Sequence, residues 1–126
     1  MNGQKVLVIE DNGDLRSMLR DALENAGFDV AVAADGVAGL ALQKRRPVDV
    51  VVTDLLMPEK EGIETIAELR KEYPRTKIIA MSGHSRTRGG VDYLCTAREL
   101  GARATLRKPF SPQQLVEAVR QVLGAA

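Results

Sequence analysis

The feature that most restricts the fold of this chain is a regular alternation of short apolar runs with longer amphipathic stretches. The first run, Lys5–Ile9, is rich in β-branched residues and almost wholly apolar, which is typical of a strand buried on both faces. Residues 14–26 instead carry an apolar stripe at helical spacing, formed by Leu15, Met18, Leu19, Ala22 and Leu23. Such alternation predicts strand–helix units that build a parallel sheet with helices on both faces.

The strand–helix alternation is repeated five times along the chain. The predicted strands are residues 5–9, 28–33, 48–53, 77–81 and 104–106. The predicted helices are residues 14–26, 36–46, 63–73 and 91–100, together with a last helix that Ser111 caps. Residues 83–90 are predicted to form a polar loop. The sequence therefore predicts an α/β fold, a (βα)5 three-layer sandwich with right-handed crossovers.

Two further predictions concern which side chains face the core. In the helix predicted for residues 36–46, Val37, Leu40 and Ala41 are expected to point inward. Cys95 is expected to be a small buried hydrophobic residue rather than a redox sensor.

Composition narrows the class of protein. A chain of 126 residues fits one domain, so residues 1–126 are predicted to be a single domain. The 18 basic and 17 acidic side chains give a net charge of +1, which favours neither a nucleic-acid partner nor a membrane surface. The single cysteine excludes an internal disulfide and a thiolate metal cluster. No apolar run approaches the roughly 18 residues of a membrane span, and we expect a cytoplasmic location.

Polar residues that could bind a ligand or take part in a reaction follow four of the predicted strands. Glu10 and Asp11 follow the first strand, Asp54 follows the third, Ser82 follows the fourth and Lys108 follows the last. In open parallel sheets, ligands bind outside the carboxyl ends of the strands. These side chains are therefore expected to meet at one edge of the sheet.

The chemistry of this set points to phosphoryl transfer with a divalent cation. Neighbouring carboxylates repel one another, and Mg²⁺, which prefers oxygen ligands, would relieve that repulsion between Glu10, Asp11 and Asp54. Mn²⁺ is a possible substitute. Lys108 adds a fixed positive charge and Ser82 adds a hydroxyl donor, groups that suit phosphoryl transfer. Asp54 is the predicted nucleophile, which would form an acyl phosphate.

Each of these residues also has an ordinary structural explanation. Acidic residues ahead of a helix often serve only as caps or dipole partners, and an Asp after a strand is often a turn residue. Function is favoured because all four groups stand at strand ends of the same sheet.

At these positions the chain resembles the receiver domain of bacterial two-component response regulators, especially single-domain regulators of the chemotaxis type. The resemblance extends from Val6 to Leu123. Its motifs are Val8-Ile9-Glu10-Asp11, Val52-Thr53-Asp54-Leu55-Leu56-Met57-Pro58 with Gly62, Ala80-Met81-Ser82-Gly83-His84 and Lys108-Pro109-Phe110. The resemblance implies a flavodoxin-like fold with strand order 2-1-3-4-5.

The resemblance also implies a phosphorylation site and a metal site. Asp54 matches the phosphoacceptor, which receives a phosphoryl group from the histidine of a partner kinase. Glu10 and Asp11 match the acidic pair that holds Mg²⁺ with Asp54, and the backbone carbonyl of Leu56 matches the remaining protein ligand.

Other matched positions imply switching and tuning. Ser82 matches the hydroxyl that moves to bond the phosphoryl group, and Lys108 matches the lysine that pairs with a phosphoryl oxygen. The Lys108–Pro109 peptide bond is expected to be cis. His84 and Leu56 match positions that border the site and tune hydrolysis of the acyl phosphate, and apolar Leu56 is expected to slow it.

The chain departs from the family pattern in two places. Thr105 stands where family members usually carry Tyr or Phe, which affects how the conformational switch is reported. The segment before Lys108 is longer than usual, and the excess, residues 85–90, is expected to be mobile or ordered by a partner. Arg98, Arg103 and Arg107 are expected near the partner-binding face.

Other functional classes stay open at this point. An aspartate-based phosphatase would need a second Asp where Leu56 stands. A phosphate-independent binding module is disfavoured by the complete set of site residues. A flavin or nucleotide binder would want a glycine-rich loop after the first strand, where this chain is acidic. The chain could be a natural single-domain regulator or a receiver cut from a longer protein, and the first is favoured.

The resemblance implies protein partners. A sensor histidine kinase or histidine phosphotransfer protein would supply the phosphoryl group, and a downstream protein would read the phosphorylated form. The chain would not itself be an enzyme acting on other molecules. We expect a monomer or weak dimer, without a nucleic-acid or membrane partner.

Overall fold

A parallel sheet forms the centre of the molecule. The computed structural model describes residues 4–55, 62–83, 87–88 and 91–124. The strands are β1 (Lys5–Ile9), β2 (Asp29–Ala33), β3 (Val50–Asp54), β4 (Lys77–Gly83), β5 (Thr87–Arg88), β6 (Val91–Asp92) and β7 (Ala104–Lys108). All but β5 and β6 form one parallel sheet in the order β2-β1-β3-β4-β7. Counted alone, these five strands have the predicted order 2-1-3-4-5.

Helices cover both faces of this sheet. They are α1 (Gly13–Asn25), α2 (Gly36–Arg45), α3 (Gly62–Glu72), α4 (Tyr93–Glu99) and α5 (Pro112–Gly124). One core contains Leu7, Ile9 and Val51 with residues of α2, α3 and α4, and the other contains Val6 and Val8 with residues of α1 and α5. Successive strand residues point to opposite faces, so one apolar strand contributes to both cores. The predicted three-layer sandwich is confirmed.

The register of the sheet brings the carboxyl ends of the strands together. Ile9 pairs with Thr53, Asp54 pairs with Met81, and Gly83 pairs with Lys108. Every residue of β3 is buried, because this strand lies in the middle of the sheet. A side chain at the end of β3 is therefore surrounded by the ends of its neighbours.

Several predictions of inward-facing side chains are wrong. Met18 is 48% exposed and Val37 is 60% exposed. Helix α2 buries Gly36, Gly39 and Gln43 instead of Val37 and Ala41, because Gly39 packs directly against the Ile9 side chain. Leu40 does pack against the core.

Cys95 is exposed, which contradicts its predicted burial. Among the α4 side chains whose burial is described, Leu94 and Ala97 are buried. They lie three positions apart and define the inward face of the helix. Cys95 follows Leu94 directly and so lies on the outward side of the helix.

The region predicted as a polar loop contains additional strand structure. Strands β5 and β6 pair antiparallel, Thr87 with Asp92 and Arg88 with Val91. The helix predicted from residue 91 begins at Tyr93, because Val91 and Asp92 belong to this ribbon. Residues 84–86 and 89–90, on which the prediction of a mobile insertion partly rests, lie outside the described residues.

Within the described ranges, no helix has both the length and the apolar composition that crossing a membrane requires.

Candidate functional site

The carboxyl edge of the sheet gathers side chains from four strands. Glu10 follows β1, Asp54 ends β3, Ser82 lies near the end of β4, and Lys108 ends β7. Parallel strands place these ends on one side of the molecule. Residues that are up to 98 positions apart in the sequence thereby come within bonding distance.

Lys108 joins the two buried carboxylates of the site. Its ammonium Nζ lies 2.8 Å from Glu10 Oε1 and 2.9 Å from Asp54 Oδ2. Glu10 is 1% exposed and Asp54 is 6% exposed, whereas the Lys108 side chain keeps partial access to solvent. Charge-assisted bonds of this length are strong, so Lys108 holds both carboxylates in fixed positions.

Three carboxylates at this edge form a candidate metal site. One oxygen from each of Glu10, Asp11 and Asp54 lies within 4.8 Å of the others. Glu10 and Asp54 are buried, and Asp11 is exposed. Among the described residues, the three carboxylates carry more negative charge than Lys108 can offset. An all-oxygen donor set with excess negative charge fits a hard divalent cation such as Mg²⁺.

Burial and neighbouring charge perturb two of these groups. Burial is the main cause that raises the pKa of Glu10 above its ordinary 4.5, and the Asp54 charge adds to it, against the hydrogen bond from Lys108. Burial alone would lower the pKa of Lys108, but its bonds to Glu10 and Asp54 outweigh that effect and raise it. Lys108 is therefore a cation at neutral pH.

The turn between β1 and α1 is fixed by bonds at its backbone and side chains. The Asn12 amide donates to Glu10 Oε2 at 3.1 Å, and Asn12 Oδ1 caps α1 by accepting from the Leu15 amide at 2.9 Å. Arg16 Nη1 donates to the Glu10 carbonyl at 2.8 Å and to the Asp11 carbonyl at 3.5 Å. Neither Asn12 nor Arg16 was predicted from the sequence to support the site. The spacing of Asn12 ahead of an apolar helix is a recognisable cap signal.

The backbone around Asp54 is closely packed. Thr53 Oγ1 donates to the Asp54 carbonyl at 3.0 Å, and the Leu55 amide donates to the Met81 carbonyl at 2.9 Å. The first residue of α3, Gly62, lies so close that an added Cβ would collide with the Asp54 carbonyl and Leu55 Cα. The phosphoacceptor candidate therefore sits on a rigid support.

Three more of the predicted features lie within the described residues, namely Ser82, Thr105 and the Lys108–Pro109 peptide bond. Ser82 is 1% exposed and its Oγ donates to the Gly83 carbonyl at 3.4 Å. The Lys108–Pro109 peptide bond is cis, as predicted. Thr105 is half-buried and its Oγ1 accepts from Arg98 Nη2 at 3.3 Å. Leu56 and His84 lie outside the described residues, so their predicted roles are not tested by the geometry.

This arrangement has the parts for charge-assisted chemistry on a carboxylate. One Asp is held at the centre of the sheet edge, a lysine contacts it, and two further carboxylates complete an oxygen-rich cluster. Such parts bind a cation and a phosphoryl group together, because catalysis of phosphoryl transfer rests on positioning and charge neutralisation.

Comparison with protein families gives one match that covers most of the chain. The model described as the response regulator receiver domain matches residues 6–120. These residues contain the whole parallel sheet from Val6 onward and all the site residues described above.

Relatives include proteins of two lengths. The chemotaxis protein CheY of Thermotoga maritima is 36% identical over 121 residues, which cover 95% of this chain and 98% of that protein. The probable transcriptional regulator ycf27 of Porphyridium aerugineum is 39% identical over 125 residues, which cover 98% of this chain and 49% of that protein. The chain thus spans about half the length of the transcriptional regulators that it matches.

Solved structures show the same architecture. A response regulator receiver domain protein from Clostridium thermocellum aligns with a TM-score of 0.86 at 31% identity, covering 95% of this chain and 94% of that one. The chemotaxis protein CheY4 of Vibrio cholerae aligns with a TM-score of 0.84 at 30% identity, covering 95% and 98%.

Proposed function

Because this chain belongs to the family of response regulator receiver domains, whose members are phosphorylation-controlled signalling switches, we propose that its phosphoacceptor is Asp54. The observation that carries this proposal is the ion pair of 2.9 Å between Lys108 Nζ and Asp54 Oδ2 at the centre of the sheet edge. A buried carboxylate that contacts a lysine and faces two other carboxylates is the site at which an incoming phosphoryl group would find both a nucleophile and compensating charge.

The proposed step is an in-line transfer. A carboxylate oxygen of Asp54 forms a bond to phosphorus while the phosphorus–nitrogen bond of a donor phosphohistidine breaks, and the released imidazole takes up a proton. Lys108 then pairs with a phosphoryl oxygen and keeps its contact with Glu10. The product is an acyl phosphate on Asp54.

Glu10, Asp11 and Asp54 would hold Mg²⁺, together with the backbone carbonyl of Leu56, and Mn²⁺ is a substitute with the same ligand preference. When bound, the cation supplies neutralisation of the negative charge that accumulates as the phosphoryl group arrives. Asp11 is exposed, so it is the carboxylate through which the site opens to solvent.

We assign the response to phosphorylation to residues around Asp54. Ser82 is buried on the adjacent strand, and its hydroxyl would exchange its bond to Gly83 for a phosphoryl oxygen. Thr105 stands where family members usually carry Tyr or Phe, and we propose that it would pass the change to the surface through its bond to Arg98. Leu56 and His84 would tune the lifetime of the acyl phosphate.

The chain would act through protein partners, not as an enzyme on other molecules. A sensor histidine kinase or a histidine phosphotransfer protein would be the donor, and a downstream protein would read the phosphorylated form. We propose that residues 1–126 act as one cytoplasmic receiver domain, monomeric or weakly dimeric.

Intact-protein mass after incubation with acetyl phosphate and Mg²⁺ tests this proposal. Wild type should gain the mass of one phosphoryl group, and Asp54→Asn or added EDTA should abolish the gain. Asp21→Asn is the matched control, because Asp21 is an exposed residue of α1 whose described contact is with Arg20. A folded wild type that gains no mass from acetyl phosphate and binds no beryllofluoride with Mg²⁺ would instead indicate a phosphate-independent binding module.

A further inference from the structure

Arg16 reaches back from α1 to the backbone that carries two of the acidic residues. Its guanidinium Nη1 lies 2.8 Å from the Glu10 carbonyl oxygen and 3.5 Å from the Asp11 carbonyl oxygen. The side chain is half-buried, and its backbone amide donates to the Asn12 carbonyl at 2.8 Å. Arg16 is therefore anchored at both ends across the β1–α1 turn.

The orientation of the two carboxylates depends on this turn. Glu10 and Asp11 are consecutive, yet Glu10 is buried and Asp11 is exposed. The conformation of the backbone between them therefore sets the directions of both side chains. The Glu10 amide donates to the Ala33 carbonyl at 3.0 Å, and Arg16 donates to the carbonyl oxygens of Glu10 and Asp11. Rotation of either peptide plane would separate the carboxylate oxygens that now lie within 4.8 Å of each other.

We propose that Arg16 is a positioning residue, which holds the Glu10–Asp11 backbone so that both carboxylates can bind one divalent cation with Asp54. This inference rests on the proposed function of the site. Arg16 touches neither the carboxylate oxygens nor the proposed nucleophile in the contacts described, and it acts through the two carbonyl groups. Removing a group that orients metal ligands in this way commonly weakens metal binding by about 10-fold or more.

The positive charge of Arg16 has the opposite effect on a cation. A guanidinium near the site repels Mg²⁺, so removal of the charge alone would strengthen metal binding, and more so at low salt. Loss of positioning weakens metal binding at any salt concentration. The sign of the change in affinity therefore separates the two roles.

Calorimetric titration of Mg²⁺ into Arg16→Met, Arg16→Lys and Arg20→Met, at low and high salt, tests the proposal. Arg16→Met keeps a stem of similar length without charge or donors, and it should bind Mg²⁺ about 10-fold more weakly. Arg16→Lys keeps the charge but lacks the forked guanidinium, and it should lie between wild type and Arg16→Met. Arg20→Met, one turn further along α1, should match wild type because Arg20 contacts Asp21 and Glu24 at the surface.

Tighter Mg²⁺ binding by Arg16→Met, or unchanged affinity in a folded variant, would overturn the positioning role. If Arg16→Met does not fold, Arg16→Lys decides, since a purely electrostatic role leaves its affinity equal to that of wild type. The proposed function fails separately, when wild type itself neither binds Mg²⁺ nor is phosphorylated. If wild type is phosphorylated and the Arg16 variants bind Mg²⁺ as tightly as wild type, only the positioning role is refuted.

Discussion

Among single residues, Glu10 shows most clearly that the site contains a carboxylate whose charged form is disfavoured by burial. It is almost completely buried, and its carboxylate is balanced by one lysine that it shares with Asp54. Burial raises its pKa even in the presence of that lysine. The charged form of Glu10 is thus less stable in the folded protein than in water, and a bound cation would recover that difference.

Acidification should therefore stabilise the metal-free wild type relative to Glu10→Gln. Between pH 4.5 and the higher folded-state pKa of Glu10, the folded protein binds more protons than the unfolded chain, so the free energy of unfolding falls as pH rises through this range. Urea unfolding at pH 7 and pH 5, with EDTA present, measures the effect. Relative to Glu10→Gln, the free energy of unfolding of wild type should be higher at pH 5 than at pH 7. A shift in favour of the variant would show that the pKa is lowered.

The residues that meet at the site could be predicted from the sequence, whereas the contacts that hold them in place could not. Residues at strand ends of a parallel sheet must converge, so Glu10, Asp11, Asp54 and Lys108 could be brought together from topology alone. Their roles in phosphorylation remain predictions. Arg16 was missed because a long side chain that bonds to backbone carbonyls leaves no pattern in residue type.

At the scale of elements, α2 shows why apolar periodicity can give the right helix and the wrong face. The extent of the helix was predicted well, at residues 36–46 against the observed Gly36–Arg45. Its inward face contains two glycines and a glutamine, residue types that a hydrophobic pattern does not count. Close packing on Ile9 and a hydrogen-bonded polar group decide this face, and both depend on tertiary structure.

Gln43 should be a strong determinant of stability at the end of the molecule opposite the site. Its Nε2 donates to Thr76 Oγ1 at 3.0 Å, its Oε1 accepts from the Val48 amide at 2.9 Å, and Thr76 Oγ1 donates to the Val48 carbonyl at 3.0 Å. Gln43→Leu would leave the Val48 amide without this partner, which costs about 1–3 kcal/mol.

Urea unfolding compares Gln43→Leu with Gln121→Leu, an exposed glutamine of α5 whose replacement should change stability by about 0.5 kcal/mol or less. Equal stabilities of the two variants would mean that the buried network adds nothing to the attachment of α2.

The start of α3 should tolerate no side chain, because Gly62 lies against the backbone of Asp54 and Leu55. In Gly62→Ala the added methyl group forces β3 or α3 to move, at a typical cost of about 1–3 kcal/mol, and phosphorylation of Asp54 should slow. Gly124→Ala is the matched control, since Gly124 ends α5 and an added Cβ there would meet no atom within 4 Å. Thermal unfolding and acetyl-phosphate labelling of both variants measure the contrast. Normal labelling and stability of Gly62→Ala would contradict it.

For the whole molecule, the parallel sheet separates two tasks between its two ends. The amino end holds the satisfied network of Gln43, Val48 and Thr76, whereas the carboxyl end holds the charged cluster around Asp54. The place of the charged cluster was predictable, because all strands of a parallel sheet have their carboxyl ends on one side. The network of Gln43, Val48 and Thr76 was not predicted. The small β5–β6 ribbon was not predicted, since two-residue strands are too short to give a period.

Mg²⁺ should stabilise the whole fold, because the proposed site exists only when the strand ends are assembled. A ligand at about 100 times its Kd adds about 2.7 kcal/mol to the free energy of unfolding, which for a domain of this size raises Tm by roughly 10 °C. Asp11→Asn should unfold near the wild-type temperature in EDTA, because Asp11 is exposed, yet it should lose most of the shift with Mg²⁺. Asp21→Asn should keep the full shift, since Asp21 lies outside the cluster. Calorimetric melting of the three proteins in EDTA and in Mg²⁺ separates a specific site from general screening by salt, because screening would raise Tm equally in Asp11→Asn and Asp21→Asn.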